Sequence, residues 1–161
     1  EDLNGVIQIF NLFYIKEADL SKALVYSEAT SNTFRFADEE NVTNAALNYG
    51  YSLILSAVNR EVSANGYLTQ LGLWHDNQFN HFNLSCDIME PVRIVVDEFV
   101  YKHEFQTFET EEKHLLASIL NESVHINHTE QNLLNAVKIY VKSIFDALNK
   151  DRLEEIHFIE I

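Results

Sequence analysis

Proline occurs once and glycine four times in this 161-residue chain. Sandwiches and barrels turn often and use both residues freely, so the shortage predicts helices joined by few tight turns. Cysteine occurs once, at Cys86. A disulfide within the chain is therefore excluded, which suits a reducing compartment. No run reaches the ~18 apolar residues of a membrane-spanning helix, and no membrane association is expected. The apolar stretch 5–15 follows Glu1 and Asp2 rather than a basic leader and makes a poor signal peptide. Basic residues are few as well: 11 Lys and Arg stand against 25 Asp and Glu, a formal net charge of −14. Duplex affinity rests on Lys and Arg neutralising phosphates, so a general DNA-binding surface is not expected. A nucleic-acid function would need metal ions, a basic partner subunit or a further domain to offset this deficit. A Gly-rich phosphate loop and a G-x-S-x-G nucleophile elbow are both missing.

Apolar residues make up 47% of the chain, enough for a packed core. The reading is a mainly α chain, a helical bundle with a short terminal strand. Residues 1–161 read as one helical domain, with 1–16 as the tail of a linker or of a truncated N-terminal region. Ile7–Ile15 is strand or buried helix, and Glu17–Ala29 has helical spacing. Ser31–Asn41 reads as a loop. Asn41 or Thr43 is expected to cap a helix from Asn44 to about Asn65, whose wide apolar face makes it central and which Gly66 ends. His75–Asn83 reads as a loop. A single helix is expected from about Leu84–Asp87 to His103, opened by Ser85 or Asp87, with Pro91 tolerated near its start. Amphipathic helices are predicted over Glu111–Asn121, capped at Thr110, and over Glu130–Asn149. Ile156–Ile161 alternates like a strand. Phe79, Phe82 and Phe99 are expected in the core, and Cys86 as a packed thiol.

The informative stretch runs from Leu71 to Arg93. His75 lies in a loop, and Asp87 and Glu90 lie three residues apart, on one face of a helix. Two carboxylates so placed repel unless a proton or cation joins them. A histidine with carboxylates suits Mn²⁺, with Mg²⁺ held through oxygens and water. A third carboxylate from another helix would complete such a site, and Glu17 is the candidate. Plainer roles stand beside these. A helix-start Asp is commonly a cap or a favourable dipole charge. Glu90 alone would be a solvated charge, and His75 alone a hydrogen-bonded structural histidine. His125 and His128 form an H-x-x-H pair, but in what reads as a loop, so the pairing is taken as incidental.

Four motifs follow one another between Asn44 and Arg93: N-x-x-L-x-Y-G-Y from Asn44, G-L-x-H from Gly72, N-x-F-N-x-F-N from Asn77, and S-x-D-I-M-E-P-x-R from Ser85. In this order they resemble the helical catalytic domain of the CRISPR adaptation integrase, in the form associated with type II systems. The resemblance reaches to about Tyr101. It implies that His75 and Glu90 are metal-binding and catalytic, with Asp87 beside them in the metal site. It also implies a further glutamate in an earlier helix. Lys16-Glu17-Ala18, with Ser21-Lys22, matches that motif best and assigns Glu17, while an ungapped alignment would place Asp19 there. The family's N-terminal β-rich domain has no room in this chain.

What the resemblance implies for function is spacer insertion into a CRISPR array by a Mg²⁺- or Mn²⁺-dependent endonuclease and integrase. A DNA 3′-hydroxyl would attack a phosphodiester at the edge of a repeat. Expected partners are prespacer and repeat DNA, a small structural subunit, a second copy of the chain within a larger complex, and the effector nuclease, all in a bacterial cytoplasm. The competing reading is a catalytically degenerate relative that acts as a protein- or DNA-binding module. The acidity and the imperfect Glu17 motif favour it, and the His75, Asp87 and Glu90 set opposes it.

Overall fold

The computed structural model describes residues 42–160. Ile7–Ile15, the Glu17–Ala29 helix, the loop from Ser31, Glu17 and Asp19 lie outside the described residues. Five α-helices and a small sheet follow in order: α1 (Val42–Ala64), α2 (Asn83–Met89), α3 (Arg93–His103), α4 (Thr110–Ala117), β1 (Ser123–Ile126), β2 (Thr129–Asn132), α5 (Leu133–Lys150) and β3 (Ile159–Glu160). The chain is mainly α, as its composition predicts. No described helix is long and apolar enough to cross a membrane.

Helix α1 is the hub and packs against all four other helices. Its buried residues Ala46, Leu47, Ile54, Ala57, Val58 and Val62 supply the wide apolar face read from the sequence. Thr43 lies within its first turn rather than before it. Gly66 stops it at φ +84°, and Tyr67 N–H donates to Val62 O at 3.2 Å, which satisfies one of the helix's last carbonyls. Helix α5 buries Leu133, Ala136, Val137, Tyr140, Val141, Ile144 and Phe145, the i, i+3, i+4, i+7 stripe of a core-facing helix. Its Tyr140 is buried, and the hydroxyl donates to Ile88 O at 3.1 Å, fastening α5 to α2.

Several boundaries differ from the sequence reading, among them the terminal strand, which starts at Ile159 rather than Ile156. The single helix expected up to His103 is two helices, with a 3₁₀ turn over Glu90–Val92 that carries Pro91 near its start. Pro91 has no N–H to give to Asp87 O, and its ring crowds that carbonyl. Helix α2 starts earlier than expected, at Asn83, so neither Ser85 nor Asp87 caps it. Glu109, not Thr110, caps α4 in a reciprocal capping box with Glu112, and α4 gives way to a 3₁₀ turn over Ser118–Asn121.

The expected Glu130 start of α5 is strand. Positive φ at Asn127 and His128 makes a two-residue turn, and Ile126 pairs with Thr129. His125 thus lies on strand β1 and His128 in the hairpin's turn, both exposed. Strand β1 alternates, burying Val124 and Ile126, and sits between β2 and β3 with all pairs antiparallel. Asn132 ends β2 and caps α5 by accepting from Asn135 N at 2.8 Å.

Helices α1 and α3 approach closely at Gly50, where a Cβ would drive into Val96 Cγ1 of α3. Alanine at position 50 would gain about 1 kcal/mol of helix propensity. Overpacking a filled contact costs about 1–3 kcal/mol, and a Cβ so far inside contact distance of Val96 Cγ1 puts the cost in the upper half of that range, above the gain. Gly50→Ala is expected to lower unfolding free energy by ~1–2 kcal/mol in urea denaturation; an unchanged midpoint would show that the two helices can part freely.

Candidate functional site

The site begins with a loop that the sequence builds from asparagines. Asn77 Oδ1 accepts from Phe79 N and Asn80 Oδ1 from Phe82 N, each at 2.9 Å. These local side-chain bonds substitute for backbone turns, which is the physical use of an N-x-F-N-x-F pattern. The third asparagine, Asn83, is buried and donates from Nδ2 to Gln70 O at 3.1 Å and Asn77 O at 2.9 Å. It clamps the loop to the start of α2. Phe79 and Phe82 are exposed at 80% and 42%, and only Phe99 joins the core. They share no helical face, because the Asx turns and not a helix set their backbone. Cys86 is half-buried, and Asn80 Nδ2 donates to its Sγ at 3.6 Å.

Asp87 is 2% exposed. Its Oδ2 accepts from Leu73 N at 2.5 Å and Trp74 N at 2.9 Å; its Oδ1 accepts from His75 N at 3.2 Å. The same Oδ1 faces His75 Nδ1 at 2.5 Å. A carboxylate offers only acceptors, so the proton of this bond belongs to Nδ1. In the neutral ring Nε2 then carries the free lone pair, on a side chain that is 42% exposed. Gly72 makes the fit possible, since a Cβ there would strike His75 O and come within 2.9 Å of Asp87 Oδ2 and Asn83 Cβ. This is the physical content of the G-L-x-H turn.

Glu90 stands in the 3₁₀ turn, 34% exposed, and pairs with Arg93 Nη1 at 3.0 Å. The Arg93 guanidinium lies over the Tyr51 ring, 4.1 Å from its centroid. The Tyr51 hydroxyl donates to Asp97 Oδ1. Burial, then the bond and charge of Asp97, push the Tyr51 phenol well above its usual range, so it remains a donor. Burial also raises Asp97, and the Tyr51 bond and Arg93 recover only part of that. Burial works against the Arg93 charge, but Glu90 and Tyr51 outweigh it and its pKa is raised. Sequence reading placed Tyr51 and Arg93 at the ends of two motifs but gave them, and Asp97, no role. Arg93 and Asp97 lie four apart on α3, as side-chain neighbours do, but nothing in one sequence shows that a tyrosine of α1 lies against them.

The structure therefore pairs His75 with Asp87 and Glu90 with Arg93. Among the described residues, no three His, Cys, Asp or Glu side chains gather as a metal site.

The fold resembles a solved casposase bound to integration product, with TM-score 0.56 and 19% identity over 73% of this chain and 40% of that one. The model of the family described as CRISPR associated protein Cas1 matches residues 28–130, well over half of the chain, and the chain belongs to that family. The CRISPR-associated endonuclease Cas1 of Neisseria meningitidis serogroup C is 39% identical over 75 residues, 47% of this chain and 25% of that protein. A CRISPR-associated endonuclease Cas1 of Thermodesulfovibrio yellowstonii is 29% identical over 84 residues, 49% of this chain and 26% of that protein. The chain thus spans about a quarter of the length of these relatives.

Removing the Asp87 carboxylate would strand three backbone donors. Each buried donor left unpaired costs about 1–3 kcal/mol, reduced where the loop can open to water. Asp87→Ala is expected to cost ~2–4 kcal/mol in denaturant unfolding and to free residues 72–75 for hydrogen exchange. A loss under ~1 kcal/mol would mean that the turn holds itself.

Proposed function

We propose that this chain is the helical catalytic region of a CRISPR adaptation integrase, a metal-dependent enzyme that joins spacer DNA to a repeat by transesterification. The observation that carries the reading is the His75–Asp87 pair. A buried carboxylate fixes the Nδ1 tautomer and aims Nε2 outward, the usual arrangement behind a metal-binding histidine. The donor types suit a divalent ion: an imidazole nitrogen and the partly exposed Glu90 carboxylate match Mn²⁺ and, less strongly, Mg²⁺. The described residues supply two such donors, and Glu17 is proposed as a third, with Asp19 as its substitute. Asp87, whose oxygens already accept four hydrogen bonds, orients the histidine and adds negative charge behind it.

When bound, the metal would activate the attacking 3′-hydroxyl and offset charge on the phosphodiester. The chain's own part is positional. Asp87 holds the His75 ring, Arg93 holds Glu90, and the asparagine loop keeps His75 beside α2. The proposed substrates are prespacer and repeat DNA. Phosphate contacts that an acidic chain makes poorly would fall to a basic small subunit, with a second copy of the catalytic chain completing the assembly. A bacterial cytoplasm and contact with the effector nuclease complete the reading.

Calorimetry with Mn²⁺ tests it. His75→Ala and Glu90→Ala are each expected to abolish detectable binding and, in a reconstituted complex, strand transfer. Their thermal unfolding without metal should stay within a few degrees of the parent. Strand transfer retained by both variants would overturn the assignment and favour the non-catalytic binding module.

A further inference from the structure

Four side chains from two helices and the turn between α2 and α3 form one chain of contacts: Glu90 to Arg93, Arg93 over Tyr51, and Tyr51 to Asp97. The order matters physically. Arg93 and Asp97 stand one turn apart on α3, and Tyr51 of α1 fills the space between them. The ring supports the flat guanidinium on one side, and the hydroxyl is tied to the next turn of the same helix. Arg93 cannot swing away without leaving the ring, and the ring cannot turn without breaking its bond to Asp97. Gly50 lets this happen, because its missing Cβ brings α1 onto Val96, the residue immediately before Asp97.

A glutamate has three side-chain torsions to fix, and a half-exposed one is free to wander. Arg93 Nη1 meets Oε1 at 3.0 Å and Oε2 at 3.3 Å. Both oxygens are therefore held from one side, which leaves their other lone pairs facing away from Arg93.

We propose that Tyr51 and Asp97 are positioning residues that lock Arg93 against Glu90 and so present the Glu90 carboxylate to the divalent ion in one orientation. This rests on the reading of Glu90 as a metal ligand given above. Tyr51 and Asp97 do not touch the ion; they act through Arg93. Arg93 also balances the Glu90 charge whenever the ion is absent. An Arg so close would weaken metal affinity by charge alone, so orientation and repulsion oppose each other. The proposal is that orientation wins.

The test is Mn²⁺ affinity of the full chain by calorimetry, read beside thermal unfolding without metal and the Mn²⁺ paramagnetic-resonance spectrum. Tyr51→Phe and Asp97→Ala are each expected to weaken Mn²⁺ binding about tenfold, the low end for losing a group that orients a ligand. The double variant should lose the same tenfold, because the two residues form one anchor. Asp97→Asn keeps an oxygen for the Tyr51 hydroxyl and should restore affinity to within about twofold, an outcome that damage to packing would not give. Unchanged affinity in Tyr51→Phe and Asp97→Ala, with or without a drop in melting temperature, would overturn the proposal. So would tighter binding, which would mean that Arg93 acts as a competing charge. Glu90→Gln separates this proposal from its premise. If Glu90→Gln abolishes binding while the anchor variants bind normally, only the anchor fails. If Glu90→Gln binds as the parent does, or the parent binds no Mn²⁺, the ligand assignment fails and the anchor with it.

Discussion

One buried carboxylate holds the site to the fold. Asp87 closes the turn from Leu73 to His75 by accepting three backbone N–H groups, and it takes the imidazole Nδ1–H as well. A carboxylate removed from water is costly unless its lone pairs are satisfied. Here the donors come from a loop that has no strand or helix of its own to hold it. The exchange serves both sides: the loop gains an anchor, and the carboxylate gains a substitute for water. The turn tolerates this only because residue 72 is glycine, and α2 presents Asp87 to it only because Asn83 ties the loop's far end to the first turn of that helix.

A second constraint sets where Glu90 stands. Pro91 breaks what would have been one helix into α2 and α3, and Glu90 falls in the break. In an unbroken helix Asp87 and Glu90 would share a face. Their surroundings nevertheless differ: Asp87 is buried beneath the loop, whereas Glu90 keeps a third of its side chain in solvent beside Arg93. In the proposed site two carboxylates three residues apart would have different tasks, Asp87 orienting His75 and Glu90 facing the ion. Their repulsion is relieved by different donors, backbone N–H groups for Asp87 and a guanidinium for Glu90.

The helices were legible in the sequence because their signals are local. The stripe from Leu133 to Leu148, the Gly66 stop and the wide face of α1 all follow from spacing and from glycine's conformational freedom. The hairpin was harder to see. Its strands are four residues each, and the Asn127-His128 turn has no glycine to announce it, although Val124 and Ile126 alternate as a strand should. Pro91 was visible, but a proline near a helix start looks the same whether it opens one helix or divides two. His75, Asp87 and Glu90 could be named from motifs, while the different partners of the two carboxylates, the His75 loop for Asp87 and Arg93 for Glu90, needed the distances. Tyr51 and Asp97 were hidden because their contact depends on the α1–α3 approach, and sequence spacing cannot report a meeting of residues 46 apart.

The acidity of the chain also gains a physical meaning from the structure. Arg60, Arg93, Lys102, Lys150 and Arg152 are each paired with a glutamate. Those five cations serve the chain's own carboxylates, and a phosphate would have to displace a glutamate to engage any of them. Exposed pairs of this kind are worth little individually, so displacement is cheap in energy, but it also frees the four glutamates that hold the five cations, Lys150 and Arg152 sharing Glu155. Little net attraction for DNA can therefore come from these side chains. In the proposed reaction the local attraction falls to a divalent ion at His75 and Glu90, which reverses the sign of the field where the phosphodiester must sit. An acidic chain is well suited to hold such an ion and poorly suited to hold DNA along its length, which is why the proposed integrase places duplex binding on other subunits.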